Sequence, residues 1–221
     1  MAQFIRTHYF ATALFVFSLP TAPLLAQQVQ PGPTWSQEDT LRIVKDVRKQ
    51  LGSLSDYSVF DWITFGIHGK TIVLKGYASR PQLKDEAGRA IKKIEGIKSV
   101  DNQIQILSLS PNDDRIRADV YNRIYTQPAL SKYNANQGSL GRAIGPGGRV
   151  GVMAGGITNN PPIGFHGIHI IVNNGHVILY GVVLNKTDAE IAGVQANLAP
   201  GAFGVVNDLI IQGSKTNEGP K

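Results

Sequence analysis

Apolar residues along this chain follow two rhythms. Ile43, Val47 and Leu51 recur at helical spacing with charged residues between them, and so do Ile116, Val120 and Ile124. Asp39 or Thr40 stands where it caps the first of these helices, and Asp113 or Asp114 where it caps the second. After each helix the rhythm changes to strict alternation. Ile63, Phe65 and Ile67 alternate with Trp62, Thr64 and Gly66, and beyond Gly69-Lys70 the alternation resumes at Ile72 and Leu74, which predicts a β-hairpin. Further on, Ile168, Ile170 and Val172 lead through Asn174-Gly175 to Val177 and Leu179; Asn-Gly favours a two-residue hairpin turn because both positions tolerate positive φ. A helix follows, with Leu83, Ala87, Ile91 and Ile94 on one stripe, Pro81 in its first turn and Gly96 as its stop. A strand closes each series, Val100–Leu107 and Val205–Gln212.

The two series are copies. A shift of 105 residues superposes residues 60–106 on 165–211 without a gap, matching Phe60 with Phe165, Gly76 with Gly181, Ala87-Gly88 with Ala192-Gly193, Gly96 with Gly201 and Asn102 with Asn207. The preceding helices superpose at a shift of 73, Arg42 on Arg115 and Asp46 on Asp119, so the second copy carries 32 extra residues between its first helix and first strand. Residues 126–162 hold eight glycines and Pro161-Pro162, a composition expected to leave the insert unstructured. The order predicted twice is helix, strand, strand, helix, strand. That is an α+β fold of two tandem modules, each a three-stranded sheet packed on two helices, with the second and third strands parallel. The modules span 39–107 and 113–212, between a flexible leader, 27–38, and a polar tail, 213–221.

The ordered set of Ile-Val-Leu-Lys-Gly (72–76) or Val-Ile-Leu-Tyr-Gly (177–181), a helix with Ala-Gly, a glycine, then Val-Asp-Asn-Gln-Ile (100–104) or Val-Val-Asn-Asp-Leu (205–209) resembles the BON domain. The tandem arrangement is similar to osmotically inducible periplasmic proteins and dual-BON envelope lipoproteins. The resemblance implies a periplasmic place, a partner that is an anionic phospholipid surface or an envelope protein, and support of envelope integrity under stress, without a cofactor. Two departures limit the transfer: the insert, and the absence of any cysteine to carry a lipid anchor.

The amino terminus agrees with export. Arg6 precedes an apolar run from Phe10 to Leu19, broken only by Thr12 and Ser18 and ended by Pro20, which is the plan of a signal peptide cleaved after Ala26. The run is shorter than the roughly 20 residues a spanning helix needs. Beyond it, 21 Lys and Arg face 16 Asp and Glu. That excess suits an anionic surface but lacks the dense basic clusters of a nucleic-acid binder.

Catalytic chemistry finds no support. Gly145-Pro-Gly-Gly-Arg-Val-Gly lacks the Gly-Lys-Ser/Thr ending of a phosphate loop, and no Gly-x-Ser-x-Gly occurs. His166 and His169, three apart on a strand, are expected on opposite faces as surface histidines. No metal site and no catalytic residue is assigned. Three surfaces are candidates instead. Arg117, Tyr121 and Tyr125 form a stripe beside Ile116, Val120 and Ile124, a basic-aromatic combination suited to a headgroup interface. Lys84, Arg89, Lys92, Lys93 and Lys98 give the first module its basic excess, with 12 basic and 7 acidic groups in 40–107. Ile171, Ile178, Tyr180 and Val182 face away from the helices together with His169, as do Trp62, Thr64, Val73, Lys75 and Tyr77 in the first module. So apolar an outer face needs cover, from the other module, the insert or a partner, and cover within the chain is the simplest expectation. The reading reached from sequence is a non-enzymatic binding protein for anionic phospholipid, the alternative being a protein-interaction or chaperone-like module.

Overall fold

The structure, a computed structural model, describes residues 35–134, 161–164 and 166–214. The signal segment 1–26 with its cleavage site, most of the leader, residues 135–160 of the insert, Phe165 and the tail from 215 lie outside the described residues.

The first module runs α1 (Gln37–Gly52), β1 (Trp62–His68), β2 (Thr71–Ala78), α2 (Pro81–Lys92), β3 (Ser99–Asn102) and β4 (Gln105–Ile106). The second runs α3 (Pro111–Tyr125), β5 (Ile168–Asn173), β6 (His176–Val183), α4 (Lys186–Asn197) and β7 (Gly204–Ile211). Each hairpin is antiparallel, and the strand after the second helix pairs parallel to the middle strand. The predicted order holds in both copies. In the first, the third strand is broken in two after Asn102, whose Nδ2 donates to the Lys84 carbonyl at 2.8 Å and whose Oδ1 accepts the Ile104 N–H at 3.3 Å. In the second, β7 runs unbroken beside β6 from Gly204 to Ile211.

Both leading helices are capped by serine, not by the Asp39 or Thr40 and Asp113 or Asp114 expected. Ser36 Oγ accepts the Asp39 N–H at 3.1 Å, and Ser110 Oγ accepts the Asp113 N–H at 3.3 Å, so each aspartate sits three residues inside the helix. Freed from capping, the buried Asp113 carboxylate accepts the N–H groups of Asn174 and Gly175, both at 2.8 Å. It thereby fixes the β5–β6 turn, where both residues have the positive φ expected. The leader also ends earlier than 38: Trp35 packs on the first core and donates Nε1 to the Gly96 carbonyl at 2.9 Å.

The repeated glycines have a steric cause. A Cβ on Gly76 would lie 2.0 Å from the Trp62 carbonyl oxygen, and one on Gly181 would lie 2.1 Å from that of Gly167, at φ +115 and +134. On the following helices, a Cβ at Gly88 or Gly193 would lie 2.9 or 2.8 Å from Nδ2 of Asn102 or Asn207. Asn207 Nδ2 bonds the Ala189 carbonyl at 2.7 Å, as Asn102 bonds that of Lys84. The Ala-Gly and Asn of the repeat are two halves of one helix-to-strand tie.

Each module has its own core. Ile43, Val47, Ile72, Leu74, Leu83 and Ile91 are buried in the first, and Ile116, Val120, Ile124, Ile170, Val177 and Leu179 in the second. Two segments cross the expected boundaries. Val59 and Phe60, between α1 and β1, are buried in the core of the second module; burying a side chain such as Phe60 contributes about 1.5–3 kcal/mol. The root of the insert is likewise packed. Leu130 and Tyr133, the latter in a short 3-10 turn (Ser131–Tyr133), join the same core. Tyr133 donates its hydroxyl to Asp188 at 2.5 Å and accepts the Leu184 N–H at 2.8 Å. The unstructured expectation therefore fails for 127–134: a hydrophobic anchor and a buried hydroxyl order a stretch whose composition alone reads as loop.

Candidate functional site

The stripe of Arg117, Tyr121 and Tyr125 is interior. Their exposures are 4%, 2% and 1%, which removes them as a lipid-facing surface. Helix α3 packs against β5 and α4 together, and Phe60 adds a third wall with its ring 6.3 Å from that of Tyr121. The buried arc is therefore wider than the three-residue stripe assumed from spacing. Arg117 donates to Asp114 and to the Val172 carbonyl, both at 2.6 Å. Tyr121 accepts from Asn134 at 3.0 Å, and Tyr125 donates its hydroxyl to the Ile168 carbonyl. Burial holds the Tyr125 hydroxyl well above the usual phenol range. These three side chains tie α3 to its surroundings.

The outward sheet faces meet one another. Trp62 stacks on Tyr180 with ring centroids 5.5 Å apart and planes 5° from parallel, and Tyr77 lies 6.4 Å from Tyr180. His169 sits beneath this pair, 5.3 Å from both Tyr57 and Trp62. Ile171 is fully buried, while Ile178 and Tyr180 are half-buried. Cover within the chain, supplied by Trp62 and Tyr77 of the first module, is thus what the structure shows for Tyr180. Val182 is 45% exposed, and with Val206 and Ile210 it leaves an open apolar strip on β6 and β7.

A segment of the first module threads into this seam. Val59 N–H donates to the Pro162 carbonyl, Gly164 N–H to that of Tyr57 and Ile170 N–H to that of Val59, at 3.1, 3.1 and 2.8 Å. Asp61, buried, accepts from Ser58 N–H at 2.9 Å, from the Ser58 hydroxyl and from Ser79 N–H at 2.6 Å. Burial raises its carboxyl pKa against the pull of those bonds.

The two histidines correct the expectation made from their spacing. His166 precedes β5, which begins at Ile168, so the alternation of a strand does not apply to it. Both rings are 1% exposed and their centroids are 6.2 Å apart. Nothing local in the sequence announces the His169 site, because its partners Tyr57, Ser58 and Trp62 lie more than a hundred residues away.

The basic surface is where the sequence places it. Arg89, Lys92, Lys93 and Lys98 are exposed and Lys84 is half-buried. Among the described residues none of the five lies within ion-pair distance of a carboxylate. Helix α1 packs beside α2 and adds exposed Lys45, Arg48 and Lys49. Since Ile43 and Val47 of α1 and Leu83, Ala87 and Ile91 of α2 bury toward the same sheet, the opposite, basic sides of both helices share one layer.

Two interlocked helix–strand–strand–helix–strand units, with apolar seams and a basic helical layer, define a tandem-repeat α+β scaffold. The chain belongs to the BON-domain family, whose model, "BON domain", matches residues 42–108 and 156–213, more than half of the sequence. Members of this family are generally non-catalytic binding modules and are typically periplasmic or envelope-associated. No curated protein matches the chain. Among solved structures, the chain is similar to CdsD, a structural protein of the type III secretion system of Chlamydia trachomatis, at 14% identity over 77% of this chain and 92% of that one, with a TM-score of 0.24. The C-terminal domain of the same protein matches at 14% identity over 80% of this chain and 99% of that one, also at 0.24. Among the described residues no helix is long and apolar enough to cross a membrane.

Proposed function

We propose that this chain is a periplasmic, envelope-associated binding protein that docks on anionic phospholipid surfaces and supports envelope integrity under stress. The observation that carries the reading is the unpaired basic layer of the first module, Arg89, Lys92, Lys93 and Lys98 on and after α2, flanked by Lys45, Arg48 and Lys49 on α1. A basic residue held near an anionic leaflet contributes about 1 kcal/mol and is screened beyond a Debye length of about 8 Å at physiological salt. Several acting together give reversible, salt-sensitive binding. With the α3 stripe interior, that stripe adds no aromatic anchor to the charges, and the basic layer by itself gives surface association without insertion.

Flotation of the mature chain with liposomes tests this. Binding is expected with anionic lipid at low salt, to fall with added salt, and to fall strongly in Arg89→Glu/Lys92→Glu/Lys93→Glu with the circular dichroism spectrum unchanged. If the folded wild-type chain floats with no anionic lipid at low salt, the reading is wrong. The protein-interaction alternative then takes its place, favoured by the open strip of Val182, Val206 and Ile210 on β6 and β7, where the first module's equivalent strand presents Asp101 and Gln105.

A further inference from the structure

His166 and His169 play no part in lipid docking, yet they occupy one of the most enclosed polar sites in the molecule. His166 Nδ1 lies 2.8 Å from the Gly164 carbonyl oxygen, and His169 Nδ1 lies 3.2 Å from that of Ser58. A carbonyl only accepts, so each Nδ1 carries the ring proton and each Nε2 presents a lone pair. Among the described residues both Nε2 atoms are buried without a hydrogen-bond partner. These are two buried, neutral imidazoles, and among the described residues no third His, Cys, Asp or Glu joins them to form a metal site.

We propose that residues 57–61 form a proton-released latch: protonation of His169, with His166 behind it, frees this segment from the second module and uncovers the aromatic faces of both sheets. Among the described residues neither ring lies within ion-pair distance of a carboxylate, so an imidazolium there has no direct ionic partner. From the latch segment itself come Tyr57 and Asp61, and the Asp61 carboxylate is already spent on Ser58 and Ser79. β1 offers the Trp62 ring, β6 the Tyr180 phenol opposite His169, and α3 the Tyr125 phenol, 5.9 Å from His166. All three phenols are held neutral by burial. A proton on either histidine is repelled by one on the other.

The direction of the pH effect follows. Burial first, and then the neighbouring His166, push the His169 imidazole down to about 3, and burial lowers His166 as well. Groups with depressed folded-state values bind protons more readily once released, so the latched form is fully favoured above the free imidazole value and loses ground as pH falls below it. For His169, each pH unit between about 6.5 and about 3 favours the released form by about tenfold, and His166 adds to this in the same direction. The strain falls on the latch because His169 bonds Ser58 directly, amid the three backbone bonds at Tyr57 and Val59 that hold the segment. Among the described residues the other two histidines, His68 and His176, are exposed.

The test uses the mature chain carrying Trp35→Phe, so that Trp62 reports alone. Lowering pH from 7.5 to 4 is expected to shift Trp62 emission to the red and to recruit a hydrophobic dye, while far-UV circular dichroism holds. His166→Phe/His169→Phe should move that midpoint down by at least one pH unit. Should the double variant fail to fold, the histidine C2 proton resonances of the wild type decide: release requires that the two buried rings titrate only with the Trp62 transition. An unchanged midpoint in the double variant, titration of the buried rings without any change at Trp62, or a Trp62 change that coincides with loss of secondary structure overturns the latch.

Discussion

Replacing Tyr125 by serine should unfold the second module far more readily than replacing it by phenylalanine, and the size of the gap follows from its surroundings. The side chain is 1% exposed, its ring lies 4.8 Å from that of Tyr121 and 5.9 Å from that of His166, and its hydroxyl donates to the Ile168 carbonyl at the start of β5. Tyr125→Phe keeps the ring and forfeits one bond, leaving a buried carbonyl short of a donor, for about 1–3 kcal/mol. Tyr125→Ser removes the ring, opens a cavity and takes away the donor that reaches the Ile168 carbonyl. Aromatic truncation alone costs about 3–5 kcal/mol. In a chain of this size 1 kcal/mol corresponds to about 2–4 °C, so the serine variant should melt about 6–20 °C below wild type. Urea titration followed by far-UV circular dichroism measures both, with the slope unchanged where only stability moves. A serine variant as stable as the phenylalanine variant would mean that the side chain is exposed and that α3 does present a surface stripe.

Further outcomes follow from the repeated ties. Gly181→Ala places a Cβ about 2.1 Å from the Gly167 carbonyl oxygen at positive φ and should cost more than about 1 kcal/mol; the matching Gly76→Ala should do the same to the first module, both read by thermal melts. Gly193→Ala and Asn207→Ala should be strongly non-additive, because the methyl collides with the asparagine that the second change removes; additive losses in the double-mutant cycle would show that the two do not touch. Asp113→Asn weakens two bonds to the Asn174-Gly175 turn and should cost about 1.5–3 kcal/mol, visible as faster amide exchange at that turn. A short Gly-Ser link in place of 137–158 should leave the melting point nearly unchanged, since closure entropy varies slowly with loop length, whereas a deletion extending back through Tyr133 and Leu130 should lower it sharply.

The element order was legible because each element answers to local rules. Helical spacing, alternation and Asn-Gly all act within a few residues, and the second copy supplied an internal check on the first. The glycines could be marked by repetition, but their reason needs coordinates: Gly88 is small because Asn102 reaches over it, fourteen residues on. The candidate surfaces divide the same way. Lys92 and Lys93 lie on the side opposite the apolar stripe of α2, and a helix period finds that side. Arg117, Tyr121 and Tyr125 lie beside a stripe, where the period cannot say how far the neighbours wrap around. Phe60 and Tyr133, which complete that wrapping, enter from outside the helix-and-strand pattern. No periodicity in 57–61 or 127–134 announces a core residue.

The embedding of Val59 and Phe60 in the second core also bears on how the chain acquires its structure. A polypeptide made from its amino terminus presents these two residues early, while α3, β5 and β6, which enclose them, come much later. Until then two apolar side chains have no site. Contacts of such long sequence separation slow folding, because the intervening chain must be ordered before they form. The first copy can close its own core without the second, but the second cannot close without a fragment of the first. The repeat is symmetrical in sequence and directional in assembly, and a second module produced alone would emerge with a vacancy where Phe60 belongs.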